Sequence, residues 1–193
     1  MFYRTGLSLL FLFAFQTVNI TAANNLLKNS QFSETHNVKG AQMPKQWRWG
    51  TWGKDSKKNV TFASDSKFFH SAKQAVSIKQ TAGTNYCHFT QKVKVTPASH
   101  ERQLNVSAWI FADNVDFGSI VIIADTAKKK AALWKRVVRF KGSFDWKFFA
   151  EQITIPAHVK AITLSIRLKG TGMFWIDDCE MSFDSYSKPR ENN

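Results

Sequence analysis

Cysteine, proline and glycine are scarce here: two, four and nine of 193 residues. Two cysteines, with no His/Cys spacing of the zinc-ligand kind, exclude a disulfide-rich scaffold and a zinc module. So few glycines and prolines leave no low-complexity tract, and no stretch reads as a linker to a second domain. Acidic residues are also few, 14 against 27 Lys and Arg. They form no Glu-x-Asp-x-x-Glu cluster; the tightest set, Asp177-Asp178-Glu180, lies near the end of the chain. The separated carboxylate pair that glycoside hydrolysis uses is therefore not visible. His36, His70, His88, His100 and His158 are dispersed, and no Ser-His-Asp pattern accompanies them. No apolar run approaches the ~20 residues a membrane-spanning helix needs, and no dozen-residue window keeps a helical period.

What the sequence does have begins with a short basic start at Arg4, an apolar run from Gly6 to Phe15, and the small residues Thr21-Ala22-Ala23. This is the layout of a secretory signal peptide, with cleavage expected after Ala23. Residues 24–187 then form one domain, large enough for a single core, followed by a polar tail, 188–193. Removing Arg4 takes one unit from the formal charge of +13. That excess speaks of partners and solubility rather than fold. Lys128-Lys129-Lys130 with Lys135, Arg136 and Arg139 is its densest part. Without a helix-turn-helix or RNA-binding signature, and with export expected, acidic glycans fit better than nucleic acid. The destination is secreted or periplasmic, the expected state a monomer.

Beyond Asn59 the chain is a succession of short apolar runs: 60–63, 74–80, 88–95, 104–111, 119–124, 133–140, 148–155, 161–168 and 174–183. Val, Ile, Phe, Thr and Trp dominate them. In Gln91-Lys92-Val93-Lys94-Val95 and in Ile162 to Leu168 apolar residues alternate with polar ones, which is the period of a half-buried strand. Turn-forming residues separate the runs, as in Ala82-Gly83-Thr84-Asn85 and Lys141-Gly142-Ser143. The expectation is an all-β, two-sheet antiparallel sandwich. Gln42 to Lys58 reads as a long connection. Export favours one disulfide between Cys87 and Cys179, contributing ~3–5 kcal/mol if unstrained; two buried thiols are the alternative.

The order of motifs resembles carbohydrate-binding modules of families 4, 9 and 22, which have a galactose-binding-domain-like jelly roll. Asn25-Leu26-Leu27-Lys28-Asn29-Ser30-Gln31-Phe32 followed by Met43-Pro44-Lys45-Gln46-Trp47 is similar to their N-terminal signature. Leu104 to Ile110, Asp145-Trp146-Lys147 with Thr154-Ile155-Pro156-Ala157, and Phe174-Trp175-Ile176-Asp177-Asp178-Cys179 are similar to later family segments. The resemblance implies non-catalytic binding of a poly- or oligosaccharide, and the excess of basic charge suits an anionic one. It also implies a structural calcium held by Asp177, Glu34 and the backbone carbonyls of Ser71 and Lys73. Glu34 departs from the family pattern, since Ser33 separates it from Phe32.

Sugar rings present flat C–H faces, so aromatic side chains make platforms for them, and amides or charged groups bind the hydroxyls. Trp109, Trp146 and Trp175 sit in core-like motifs, and Trp47 reads as structural. Trp49, Trp52 and Trp134 lie in polar or irregular context and are the platform candidates. Tyr86, His88 and Gln91 on one strand complete the expected ligand-binding set. A secreted adhesion module, or a jelly-roll hydrolase or lyase, are the competing readings.

Overall fold

The computed structural model describes residues 24–52, 56–71 and 73–183. The expected leader, 1–23, and the tail, 188–193, lie outside the described residues. Ten strands follow in chain order: β1 (Thr35–Val38), β2 (Ala41–Pro44), β3 (Arg48–Thr51), β4 (Val60–Asp65), β5 (Ala75–Gln80), β6 (Tyr86–Lys94), β7 (Arg102–Thr126), β8 (Leu133–Ile155), β9 (Val159–Lys169) and β10 (Gly172–Phe183). All pairings are antiparallel.

Two strands are long enough to belong to both layers. The first half of β7 pairs with β10 and with the second half of β8, and β10 continues through β5 to β4. The second half of β7 pairs with β9 and with the first half of β8, and β9 continues through β6 to β3. One layer is therefore β4-β5-β10-β7-β8 and the other β3-β6-β9-β7-β8. Expected as four separate strands, the runs 104–111, 119–124, 133–140 and 148–155 are two continuous ones. No proline interrupts them, and the bend is absorbed by register shifts between Ile110 and Gly118. Asn114 at φ 50° and Gly142 at φ 78° supply the left-handed backbone the bend requires. Residues 42–58, expected as a connection, contain most of β2 and all of β3.

The core lies between the layers and is aliphatic and aromatic. Phe32, Phe89, Phe174, Ile78, Leu104, Ile110, Ile122, Leu164 and Ile166 are fully buried in it. Phe140 meets Phe174 edge-to-face at 5.3 Å. At Gly118 a Cβ would sit 2.0 Å from the Phe140 ring, so only glycine lets that ring lie across β7.

The N-terminal motif closes one edge. The Asn29 amide donates to the carbonyls of Glu34 and Lys45 and accepts the Glu34 N–H. Trp47, in the core, donates its indole N–H to the Asn29 carbonyl at 3.1 Å and packs on Phe32 at 5.1 Å. One side chain, Asn29, thus ties a loop whose two aromatic residues, Phe32 and Trp47, fill the core.

The cysteines do not meet. Both are buried free thiols. Cys87 Sγ lies 3.2 Å from Gln80 Oε1, and Gln80 pairs with Gly172 at the start of β10. Cys179 is seven residues further along that strand, roughly 20 Å away at the rise of a strand. The expected disulfide is thus corrected to two separate packing residues. Burial pushes the Cys87 thiol up to about 12 and raises Cys179 as well, with Asp177 and Asp178 adding to the effect.

Candidate functional site

Side chains that point away from the core on the β3-β6-β9-β7-β8 layer fall into rungs set by strand register. One rung is Gly50, His88, Arg167, Ser119 and Arg139. The next is Arg48, Thr90, Ser165, Val121 and Arg136, and beyond it come Lys92, Thr163, Ile123 and Trp134. On the other side of the first lies Tyr86, Lys169 and Phe117.

An outward face should be wet, yet its centre is not. Ser119 and Val121 are completely covered, Ser165 is 1% exposed and Arg167 only 8%. Side chains from the two flanks shield them. Trp52, one residue past β3, is 45% exposed and Trp134, on β8, is 48% exposed. The Arg167 guanidinium lies between these indoles, 4.8 Å from the Trp52 ring and 5.5 Å from the Trp134 ring. The face is therefore a trough, walled by Trp52, Tyr86 and His88 on one side and by Trp134 and Arg136 on the other.

The walls are braced. Trp52 stacks on His88 at 4.4 Å and meets Tyr86 edge-on at 5.8 Å, and its backbone N–H donates to the Tyr86 carbonyl. Glycine at position 50 makes room for the imidazole, since a Cβ there would lie 3.1 Å from His88 Cε1 and Nε2. Opposite, Arg136 sits 5.4 Å from the Trp134 ring and 5.1 Å from Phe117. Several polar atoms are buried here without a partner: His88 Nδ1, Ser119 Oγ and Arg136 Nε.

Positive charge dominates the trough. Burial lowers the Arg167 guanidinium from its ordinary range; Tyr86 opposes this and Arg136 adds to it. His88 is lowered by burial and by the Arg167 charge. The carboxylate on this face, Asp125, is bound to Lys92 at 2.6 Å and accepts the Ala131 N–H. Toward the Lys94 end the trough opens into a cavity of about 680 Å³ lined by Arg48, Thr90, Lys92, Lys94 and Thr163 among others.

Four of the expected ligand-binding residues, Trp52, Tyr86, His88 and Trp134, thus converge on one surface. Two do not. Trp49 pairs with Phe89, has the inward parity and packs against the core. Gln91 is 4% exposed; its amide donates to the Lys28 carbonyl at 2.8 Å and accepts the Lys28 N–H at 2.7 Å. It is a tether for the N-terminal segment, for which its strand parity, opposite to that of His88, was the available signal. Arg136 was visible in the sequence only as part of a basic cluster, and Arg167 and Ser165 were not singled out, since a basic residue in an alternating strand reads as solvated.

The corner expected to hold calcium is built from protein donors. Asp177 is fully buried. Its Oδ2 accepts the N–H groups of His70 and Ser71, at 3.1 and 3.2 Å, and its Oδ1 accepts that of Asp178 at 2.8 Å. Asp178 accepts the Ser71 hydroxyl at 2.7 Å and lies 3.0 Å from His70 Nδ1. Glu34, Ser71 and Lys73 are exposed. Calcium needs an oxygen shell, whereas the groups facing these aspartates are largely N–H and O–H donors. Among the described residues no group of three or more His, Cys, Asp or Glu side chains could hold a metal ion. Of the expected set Asp177, Glu34, Ser71 and Lys73, the structure joins Asp177 and Ser71, with Asp178 and His70, in a hydrogen-bonded clasp. That clasp carries His70 flat onto Trp109 at 3.8 Å, on the outer side of the other layer. There Trp146 and Trp175, expected in the core, pack around Phe68.

No family model and no curated protein sequence matches the chain. Solved structures do match. A family 61 carbohydrate-binding module in complex with β-1,4-galactotriose superposes with a TM-score of 0.59 at 16% identity, over 84% of this chain and 100% of that one. The fold is that of the carbohydrate-binding-module β-sandwich. A CBM22-1 xylan-binding domain from Paenibacillus barcinonensis Xyn10C gives a TM-score of 0.56 at 9% identity, over 86% of this chain and 98% of the module. The enzymatically active domain of bacteriophage CBA120 tailspike protein 4 gives 0.63 at 13% identity over 82% of this chain, which spans 21% of the tailspike's length. In the β-sandwich frame the trough occupies one sheet face and the aspartate clasp the corner next to the other. No helix among the described residues is long and apolar enough to cross a membrane.

Proposed function

We propose that the chain is a secreted, non-catalytic, monomeric carbohydrate-binding β-sandwich whose trough receives a poly- or oligosaccharide. The observation that carries this is the pair of half-exposed indoles, Trp52 and Trp134, flanking a floor of buried outward-facing polar side chains. Sugar rings stack on such surfaces while hydroxyls take up the neighbouring donors and acceptors. From Tyr86 to Lys94 the trough follows the nine residues of β6, ~26 Å at the strand rise. That suits an extended oligosaccharide. The carboxylate on this face is neutralised by Lys92, so the two separately poised carboxyl groups of a hydrolase are not provided there. The β-sandwich fold shared with saccharide-binding modules supports the same reading.

A glycan array probed with the purified protein at two salt concentrations tests it. Retention of a saccharide at both, lost in Trp52→Ala and Trp134→Ala variants that still melt cooperatively, is expected. Undiminished retention in both variants refutes this use of the trough. The leader at 1–23 is checked by N-terminal sequencing of exported protein, which should begin at Asn24.

A competing reading as a protein-adhesion module draws on the opposite layer, where Phe148 is 51% exposed beside Trp109. Phe148→Ala should leave saccharide retention unchanged.

A further inference from the structure

We infer that the trough selects acidic saccharides, with the ligand's oxyanion held by Arg167 and Arg136 and its ring laid against Trp52 or Trp134. This inference rests on the saccharide-binding reading and adds the chemical class of the ligand.

Arg167 carries the argument. A guanidinium stays protonated in any protein environment, so burying it without a counter-ion leaves a charge that has lost water and gained little. Arg167 is 8% exposed. Its Nε donates to Ser165 Oγ at 2.9 Å. Among the described residues the ion pairs are His70 with Asp178 and Lys92 with Asp125, so no carboxylate lies in salt-bridge range of Arg167 or Arg136. The two indoles offset part of the lost hydration through their ring faces, as Trp134 and Phe117 do for Arg136.

Two guanidinium groups that share the Trp134 ring repel each other. Yet both are held there, and Arg136 Nε is buried without a partner. This is the electrostatic complement of an anion. A carboxylate or sulfate ester entering the trough replaces the missing counter-charge, and its oxygens match the planar fork of arginine. Ser119 Oγ and His88 Nδ1, also unpartnered, stand on the same rung as Arg167 and suit the hydroxyls of the same sugar. Lys169, Lys92, Lys94, Arg48 and Arg139 line the rest of the face and draw a polyanion along it. A binder of neutral glycans has no use for two desolvated cations at the centre of its platform.

The test is calorimetric titration of the full purified chain with oligogalacturonate, with the same oligosaccharide after reduction of its carboxyl groups, with a sulfated oligosaccharide of equal length, and with polyglutamate. Binding of at least one acidic saccharide at least tenfold tighter than the carboxyl-reduced one is expected. The carboxylated and sulfated arms identify which oxyanion is read. Arg167→Gln and, separately, Arg136→Gln should each remove at least tenfold of that preference, read within each variant as the ratio of its affinities for the acidic and the carboxyl-reduced oligosaccharide. Equal affinity for acidic and reduced forms overturns the inference but keeps saccharide binding. Equal affinity for polyglutamate overturns it in favour of unselective charge. Failure of every saccharide to bind overturns the underlying reading instead. If Arg167→Gln does not fold, as its melting curve will report, Arg136→Gln on the half-buried wall decides.

Discussion

Replacing Gln91 with leucine separates a structural role from a ligand-binding one. Leucine keeps most of the volume and the strand position but removes both hydrogen bonds to Lys28, at 2.7 and 2.8 Å. The Lys28 N–H and C=O are then left in a part-buried setting. At about 1–2 kcal/mol for each partially desolvated group, the loss is roughly 2–4 kcal/mol. A domain of this size shifts by about 2–4 °C per kcal/mol, so the melting temperature should fall by roughly 4–16 °C. The same residues of the chain, Leu26 and Leu27, also pack against the core, so loosening this tether should increase amide exchange in residues 25–32 first. Differential scanning calorimetry supplies the shift, and saccharide titration supplies the control, because Gln91 points away from the trough. A variant with unchanged melting but weakened saccharide affinity would show that the amide meets ligand and that the inward placement is wrong.

Three further outcomes are expected. Thiol titration with an aromatic disulfide reagent should count no reactive cysteine in the folded protein and two after denaturation, with the melting temperature unaffected by reductant; a reductant-induced drop would restore the disulfide. A chelator should likewise leave the melting temperature unchanged, whereas Asp177→Ala, which orphans three backbone N–H groups, should cost about 3 kcal/mol or more; a chelator effect reversed by calcium would refute the clasp as self-sufficient and assign the metal to this corner. Finally, His88 has its folded pKa lowered, so its contribution to stability is complete above the unfolded value near 6.5 and is lost as pH falls toward the folded one. The pH dependence of melting between about pH 7.5 and 5 should flatten in His88→Gln, and an identical profile in both proteins would remove His88 as its source.

The layered β architecture was legible because alternation is a local signal: each strand half-buried on one side writes its period into Gln91 to Val95 or Ile162 to Leu168. The bend that merges four expected strands into two was not, since Asn114, Gly142 and a series of bulges look like ordinary turn chemistry. Trp52 and Trp134 stood out as aromatic residues in polar company. Arg167 did not, because its burial arises from Trp52 on one flank and Trp134 on the other, neither near it in sequence. The cysteines misled for the same reason in reverse: export and an even count argued for a bond that strand register, seven residues out of step, forbids.

Both layers draw one margin from the same two strands. β7 and β8 stay paired on both sides of the bend, through a series of register shifts, so along that side the sandwich is sewn shut. Breathing is then confined to the far margin, where β3 and β4 end the ladders. Deuterium uptake should spread inward from there like a book opening from its fore-edge, leaving the Trp134 wall fixed to the spine while the Trp52 wall swings.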